Sequence, residues 1–461
     1  MNLQKEALKS HLKMSIQVLR MFDWLLDLYV LIIRFYFRFI LTLKQIDFFV
    51  DDHWHKLPAT WRESLENMDP QHLGEILSKI QTCHMLPLSL LALIKSVEVL
   101  TIPREGIEKN KMVNDVTDLD TCKNHPKLKN LFLKHVKLKK RHEISLMADV
   151  VAATAAQSSC ASVIDFGSGL GHLVRMLAYR DNLYTAGIEC QTQLAEEARK
   201  LDLELEYTVK KHLSDAATLK LRRPIHFNVT LSSHSQLLEL PLPATMQAYG
   251  LIGLHPCGDL GPLLLKHFVQ YDHVKFICVV GCCYMKLTCN GGDRGYPLSE
   301  FVSSLNSKLS FVSREIACHA IEVYRERLRK GNYEDLKVHA YRAALERILI
   351  EHDPKLRHAG VRSIKHSDNM TFEKYCTLAV ERLNVPLPAS PAAWSRGRAD
   401  LLRWRQVVMV YTLRLALAPL VETVVLLDRI LYVVEQGLSC EIHPVFDPKL
   451  SPRNHIIIAR R

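Results

Sequence analysis

At 461 residues the chain exceeds one ordinary domain, so a catalytic domain with helical additions is the expected organisation. Apolar residues at 48% and charged residues at 24% exclude a disordered tail-like chain and allow a sizeable core. A formal charge of +11 and an isoelectric point near 9.0 permit an anionic partner without naming one. The twelve cysteines lack the paired spacing of a disulfide framework and no cleavable signal is visible, which predicts an intracellular chain with reduced thiols, in cytoplasm or nucleus.

Residues 1–125 read as a helical N-terminal region. Leu57-Pro58-Ala59-Thr60-Trp61 marks a helix start, and Leu86, Leu90, Leu93, Val97 and Leu100 recur at helical spacing. Trp24 to Leu43 is about one bilayer long, but Asp27, Arg34 and Arg38 interrupt it; Arg414, Pro419 and Glu422 do the same for Val407 to Leu427. Buried amphipathic helices are expected at both places. Residues 126–289 then begin with a basic run from Lys134 to Glu143 that enters a helix. Lys134, Lys137, Lys139, Lys140 and Arg141 form its cationic face, suited equally to solvent or to nucleic-acid phosphates.

From residue 160, short strands alternate with helices, the pattern of a parallel α/β sheet. The predicted strands are 161–166, 183–189, a weaker 205–213, 249–255 and 274–282. Residues 290–404 read as a mainly helical insertion between strands five and six. The sheet resumes in 405–461 with a helix over 405–436 and two strands, 440–446 and 455–460.

The most informative stretch is Ile164-Asp165-Phe166-Gly167-Ser168-Gly169-Leu170-Gly171, a buried strand breaking into a glycine turn before a helix. Such a turn lets backbone close on a nucleotide-like ligand. The third glycine of a dinucleotide fingerprint would fall at position 172, which is His172. Asp165 would repel a pyrophosphate and suits a ligand carrying an ammonium and a sulfonium. Glu189 ends the second strand 18 residues after Gly171, where a ribose-hydroxyl acceptor belongs. Together these features predict a class I, Rossmann-like fold that binds S-adenosylmethionine through Asp165, Gly167, Ser168, Gly169, Gly171 and Glu189. Asp215, after the weak third strand, is read as an adenine contact or an ordinary helix cap.

The fourth strand ends in His255-Pro256-Cys257-Gly258-Asp259 and the fifth in Gly281-Cys282-Cys283-Tyr284. Strand ends of an open α/β sheet face the ligand crevice, so His255, Cys257, Asp259, Cys283 and Tyr284 are predicted to line the methyl-acceptor side. His255 and Asp259 are candidate bases, and Tyr284 a candidate for orienting or stacking the acceptor. Cys257 and Cys283 also allow a thiolate-addition chemistry of the RNA cytosine-C5 type. A zinc cluster of His255, Cys257, Cys282, Cys283 and His319 is conceivable on composition, but no C-x-x-C pair exists, so no metal is assigned.

Four motifs carry a family resemblance: Lys139 to Glu143, Val163 to Leu173, Gly253 to Leu260 and Val280 to Leu287. With them the chain resembles the methyltransferase-like 25 family from about Asp47 onward. Ala317 to Ala320, His339 to Glu346 and Leu450 to Asn454 look closest to its 25B branch. The resemblance implies an S-adenosylmethionine-dependent methyltransferase. The adenine-dimethylase label of that branch implies an Asn-Leu/Pro-Pro-Tyr/Phe type motif after strand four, which Leu254-His255-Pro256-Cys257 is not. The His-x-Cys-Gly and Cys-Cys pair resembles, more weakly, a tRNA ribose 2′-O-methyltransferase family. RNA is therefore the leading acceptor class, with a protein acceptor or a non-catalytic scaffold as alternatives. Leu31 to Gln45 stands as extra sequence relative to the family.

Overall fold

The computed structural model describes residues 4–16, 44–77, 85–105, 136–212, 222–230, 240–291, 294–331, 334–364, 367, 370–383, 385, 387 and 390–461. The predicted contacts at Lys134 and Asp215, the apolar stretch 24–43 and nearly all of the extra segment 31–45 lie outside them. The described chain divides into two compact units: 1–12, 103–309 and 424–461 form one, and 13–102 with 310–423 the other.

The first unit is built on a seven-stranded sheet in the order β3-β2-β1-β4-β5-β7-β6. Its strands are β1 (Ser162–Phe166), β2 (Tyr184–Glu189), β3 (Ile225–Asn228), β4 (Tyr249–Gly253), β5 (Val274–Val280), β6 (Ser439–Pro444) and β7 (His455–Arg460). The first five run parallel, with Asp165 opposite Gly187 of β2 and Ile252 of β4. The last two pair antiparallel, Ile277 opposite Ala459 and Ile442 opposite Ile457. β1 and β4 are buried at every position, as strands covered on both faces must be. This strand order, with an antiparallel pair at one edge, is the class I, Rossmann-like sheet expected from the sequence. Its direction of winding reverses between β1 and β4, which places the ligand crevice at their carboxyl ends.

The third strand departs from expectation. Residues 205–213, read as a weak strand, fall largely within the helix Thr192–His212, and β3 comes later, at Ile225–Asn228. The segment Leu201-Asp202-Leu203-Glu204-Leu205-Glu206-Tyr207 alternates apolar and polar residues. Its Ala195, Ala198, Asp202, Leu205 and Val209 are nevertheless the buried positions, spaced at three and four, and that helical stripe prevails.

The domain boundaries also differ from the sequence reading. The N-terminal helices Ala59–Glu66, Pro70–Ile76 and Leu88–Leu100 share one apolar core with Ile321–Arg329, Lys337–His352, Phe372–Val380 and the start of Trp404–Glu435. Trp61, Leu65, Leu73, Leu90, Leu93 and Val97 supply one side of that core, and Tyr324, Leu328, Leu345 and Leu349 are among the residues of the other. An amphipathic face must be covered, but its periodicity does not say by what. Most of the N-terminal region and of the 290–404 insertion, within 13–102 and 310–423, thus form one helical unit built from two distant pieces of chain. No described helix is long and apolar enough to cross a membrane.

Gly171 closes the turn after β1 in the left-handed region, φ 69°, and caps the helix His172–Tyr179. A Cβ there would meet His226 Cε1 at 2.6 Å. Gly171→Ala is expected to cost about 2 kcal/mol of stability from backbone strain and the clash together. Urea unfolding of the two forms measures it; equal midpoints would contradict this account of the turn.

Candidate functional site

The glycine turn is held from beneath by a buried polar network that the sequence did not announce. Arg175 donates from Nε to Asp202 Oδ1 (2.5 Å) and from Nη2 to the carbonyls of Leu170 (3.1 Å) and Ala198 (3.0 Å). Asp202 also bonds His226 Nε2 at 2.6 Å, and His226 is the residue against which Gly171 packs. Three polar side chains on two helices and β3 therefore fix the path of the loop. His172, at the position of the missing third glycine, sits 3.3 Å from Arg175 Nη1; burial and that guanidinium push its pKa down to about 4, so it stays neutral.

Above the network, Gly167, Gly169 and Gly171 all have positive φ. No described atom lies within 4 Å of where a Cβ would stand on Gly167 or Gly169, so the turn presents bare backbone to an open space. Asp165 ends this approach. It is 3% exposed, and its Oδ1 has no hydrogen-bond partner among the described residues. Burial, with Glu189 nearby, drives its pKa up to about 8, although Lys140 pulls the other way. A buried carboxylate without a partner is costly unless a cation arrives to pair with it. Glu189, at the end of β2, accepts from the Gly169 amide (3.0 Å) and the Gln191 amide (2.9 Å), tying the acid to the turn itself. These residues fit S-adenosylmethionine: an unpartnered carboxyl group for its ammonium, exposed turn backbone, and an acid at the end of β2 that would accept from its ribose hydroxyls.

At the end of β4, His255 adopts φ 65°, an uncommon conformation for a residue with a side chain. Its Nε2 lies 2.9 Å from Glu143 Oε1, and Ser451 Oγ donates to the same oxygen at 2.6 Å. Glu143 is buried; desolvation opposes its charge, but the bonds from His255 and Ser451, with Lys139 at 3.7 Å, outweigh it and hold its carboxyl below the ordinary value. An ionised carboxylate only accepts, so His255 Nε2 carries a proton, and in the neutral ring Nδ1 then holds the lone pair. That Nδ1 is buried and has no hydrogen-bond partner among the described residues.

The family described as a methyltransferase domain matches residues 139–290. The turn, both strand-end acids and the His255–Glu143 pair all fall inside that match. The domain takes S-adenosylmethionine as its cofactor. The chain is 27% identical to the Mus musculus protein named "Probable methyltransferase-like protein 25" over 230 residues, 45% of this chain and 37% of that protein. The Homo sapiens protein of the same name is 28% identical over 225 residues, 45% of this chain and 36% of that one. The matched segment thus spans little more than a third of these relatives. Among solved structures, the plantazolicin methyltransferase BpumL in complex with SAH aligns at 13% identity with a TM-score of 0.22, covering 57% of this chain and 87% of that one.

Within this methyltransferase domain the predicted acceptor-side residues separate. His255, Cys257 and Cys283 lie together at the ends of β4 and β5. Asp259 is half-exposed, and its Oδ1 accepts the Thr288 amide at 2.9 Å. Tyr284 is 1% exposed, with the guanidinium carbons of Arg429 and Arg453 at 5.7 and 5.8 Å from its ring, so it packs inward instead of stacking on an acceptor. His319 belongs to the helical unit, where its Nδ1 is 2.6 Å from Tyr411 Oη. Of the basic run, Lys139 is engaged with Glu143, and Arg141 donates to the Val136 carbonyl at 2.6 Å. Lys137 and Lys140 remain solvent-exposed. With Asp215 outside the described residues, the end of β3 falls at Asn228, whose side-chain amide donates to the Glu189 carbonyl at 2.9 Å. Glu143 is the candidate site residue that sequence reasoning missed; it lies in the Lys139 to Glu143 motif, but its contact with His255 spans 112 residues and shows only in the folded chain.

Proposed function

We propose that the chain is an S-adenosylmethionine-dependent methyltransferase whose acceptor is a hydroxyl group of RNA. The observation that carries the first half is the unpartnered Asp165 carboxylate at the turn, beside Glu189. In this reading Asp165 receives the ligand ammonium, Gly167, Ser168, Gly169 and Gly171 offer backbone, and Glu189 takes the ribose. The cofactor supplies an electrophilic methyl group and its own leaving group. The protein orients the acceptor, worth about 7–11 kcal/mol when the geometry is right, and His255 Nδ1 takes the acceptor proton while Glu143 steadies the charge that develops on the ring.

A hydroxyl acceptor needs such a base, and a base without the carbonyl set of the adenine enzymes supports oxygen over an exocyclic amine. Lys137 and Lys140, exposed at the start of the helix that carries Glu143, support an anionic substrate. Placement in the 25B branch rests on Ala317 to Ala320, His339 to Glu346 and Leu450 to Asn454 and is part of the same proposal. The deciding experiment supplies labelled S-adenosylmethionine to the full chain with cell extract separated into RNA and protein. Label in RNA, lost on Asp165→Ala, is the expected result; label confined to protein overturns the RNA assignment, and cofactor binding without transfer to either fraction favours a scaffold. RNA affinity should also fall about 10-fold between 50 and 200 mM salt if two phosphates are contacted. A salt-independent affinity would remove Lys137 and Lys140 from the interface.

A further inference from the structure

The ends of β4 and β5 bring three thiols together from two distant stretches of chain. Cys257 Sγ is 3.1 Å from Cys283 Sγ and 4.0 Å from Cys282 Sγ, and the latter two are 3.4 Å apart. One isolated parallel bridge, Cys257 to Cys282, aligns the two backbones at this point. Two left-handed residues shape this point, Gly258 next to Cys257 at φ 59° and Cys283 itself at φ 48°. Strain at a side-chain-bearing residue such as Cys283 persists where the surroundings impose it, and it collects at functional sites.

We propose that Cys257, Cys282 and Cys283 bind one zinc ion through three thiolates, leaving its fourth position open toward solvent on the Cys257 side. Tetrahedral Zn–S bonds of about 2.3 Å set sulfur–sulfur edges of about 3.8 Å; the observed separations of 3.1 to 4.0 Å bracket that value. Cys257 is exposed while Cys282 and Cys283 are half-buried, so the cluster has one accessible face. Soft sulfur donors select zinc over the hard cations magnesium and calcium.

Zinc entry forms three Zn–S bonds and sends the proton of each thiol to solvent, leaving a centre of net charge −1. Arg429 lies beside Tyr284, the neighbour of Cys283, with its guanidinium carbon 5.7 Å from that ring. It is fully buried, and none of its three guanidinium nitrogens has a hydrogen-bond partner among the described residues. A buried cation so placed offsets an anionic metal cluster.

The reduced 461-residue chain, freed of metal by chelator, is to be titrated with Zn²⁺ and followed by native mass spectrometry, and in parallel with Co²⁺ followed by its thiolate charge-transfer absorption. One metal per chain is expected, with affinity lowered at least 100-fold by Cys257→Ser or Cys283→Ser and unchanged by Cys190→Ser. Cys257→Ser alters an exposed thiol, and its thermal melt shows whether the fold is retained. The mass measurement on the unsubstituted chain stands whatever the variants do. Sub-stoichiometric zinc, a cobalt spectrum insensitive to both substitutions, or a Cys257–Cys283 disulfide that persists in reductant overturns the proposal.

Discussion

Asp165→Asn should make the ligand-free protein more stable and nearly abolish cofactor binding. The buried carboxylate has an orphaned oxygen and a pKa pushed up to about 8 by desolvation, from the ordinary 3.8. A group whose folded-state pKa is raised contributes stability below its unfolded pKa, and that stability is lost as pH rises toward the folded value. The ligand-free protein is therefore expected to weaken between about pH 4 and pH 8, by up to about 1.4 kcal/mol per unit. Asparagine has no proton to lose, so melting curves of the two proteins should diverge from pH 5 to pH 8, the variant melting higher. Cofactor affinity should move oppositely. Only the carboxylate pairs with an ammonium, so affinity for S-adenosylmethionine should improve up to about tenfold per unit from pH 6 toward pH 8 and should fall by at least about 100-fold in the variant. Calorimetric titration at the two pH values reads both effects. A variant that binds within a few-fold of the original would show that Asp165 is merely a buried acid.

That opposition between stability and binding explains what the sequence made legible. Asp165, the glycines and Glu189 sit within one β-α-β unit, and local chemistry forces them: positive φ demands glycine, and an acid before the turn excludes pyrophosphate. The strands beyond β3 were equally readable in position, because β4, β5 and β7 are short apolar runs with clear ends. What sequence alone left hidden is what only long-range closure creates. Asp202 and His226 hold the turn from residues with no motif of their own. Cys257 meets Cys283 because adjacent strands end level, and no C-x-x-C spacing records that. Tyr284 reads as facing an acceptor because strand ends usually do; the arginines around its buried ring hold it inward instead. The helical unit repeats the lesson at larger scale, since Trp61 and Leu345 advertise apolar faces without naming each other.

The His255–Glu143 pair carries the other large effect. His255→Asn keeps a residue that tolerates the positive φ while removing the base, and should lower the methyl-transfer rate by about 10²- to 10⁴-fold. Glu143→Gln is the sharper test. The amide oxygen can still accept from His255 Nε2 and Ser451 Oγ, so the ring keeps its orientation and tautomer, but the negative charge that would stabilise the protonated imidazole is gone. The rate should fall about 100-fold with the cofactor dissociation constant unchanged, because Glu143 approaches the acceptor only through His255. Single-turnover methyl transfer to the RNA fraction, set beside cofactor titration of the same variants, separates the two quantities. Equal losses in binding and rate would make Glu143 a support for the fold at the β4 end, and an unchanged rate in His255→Asn would mean that the acceptor needs no base, shifting the assignment from a hydroxyl toward a group that is nucleophilic without losing a proton first.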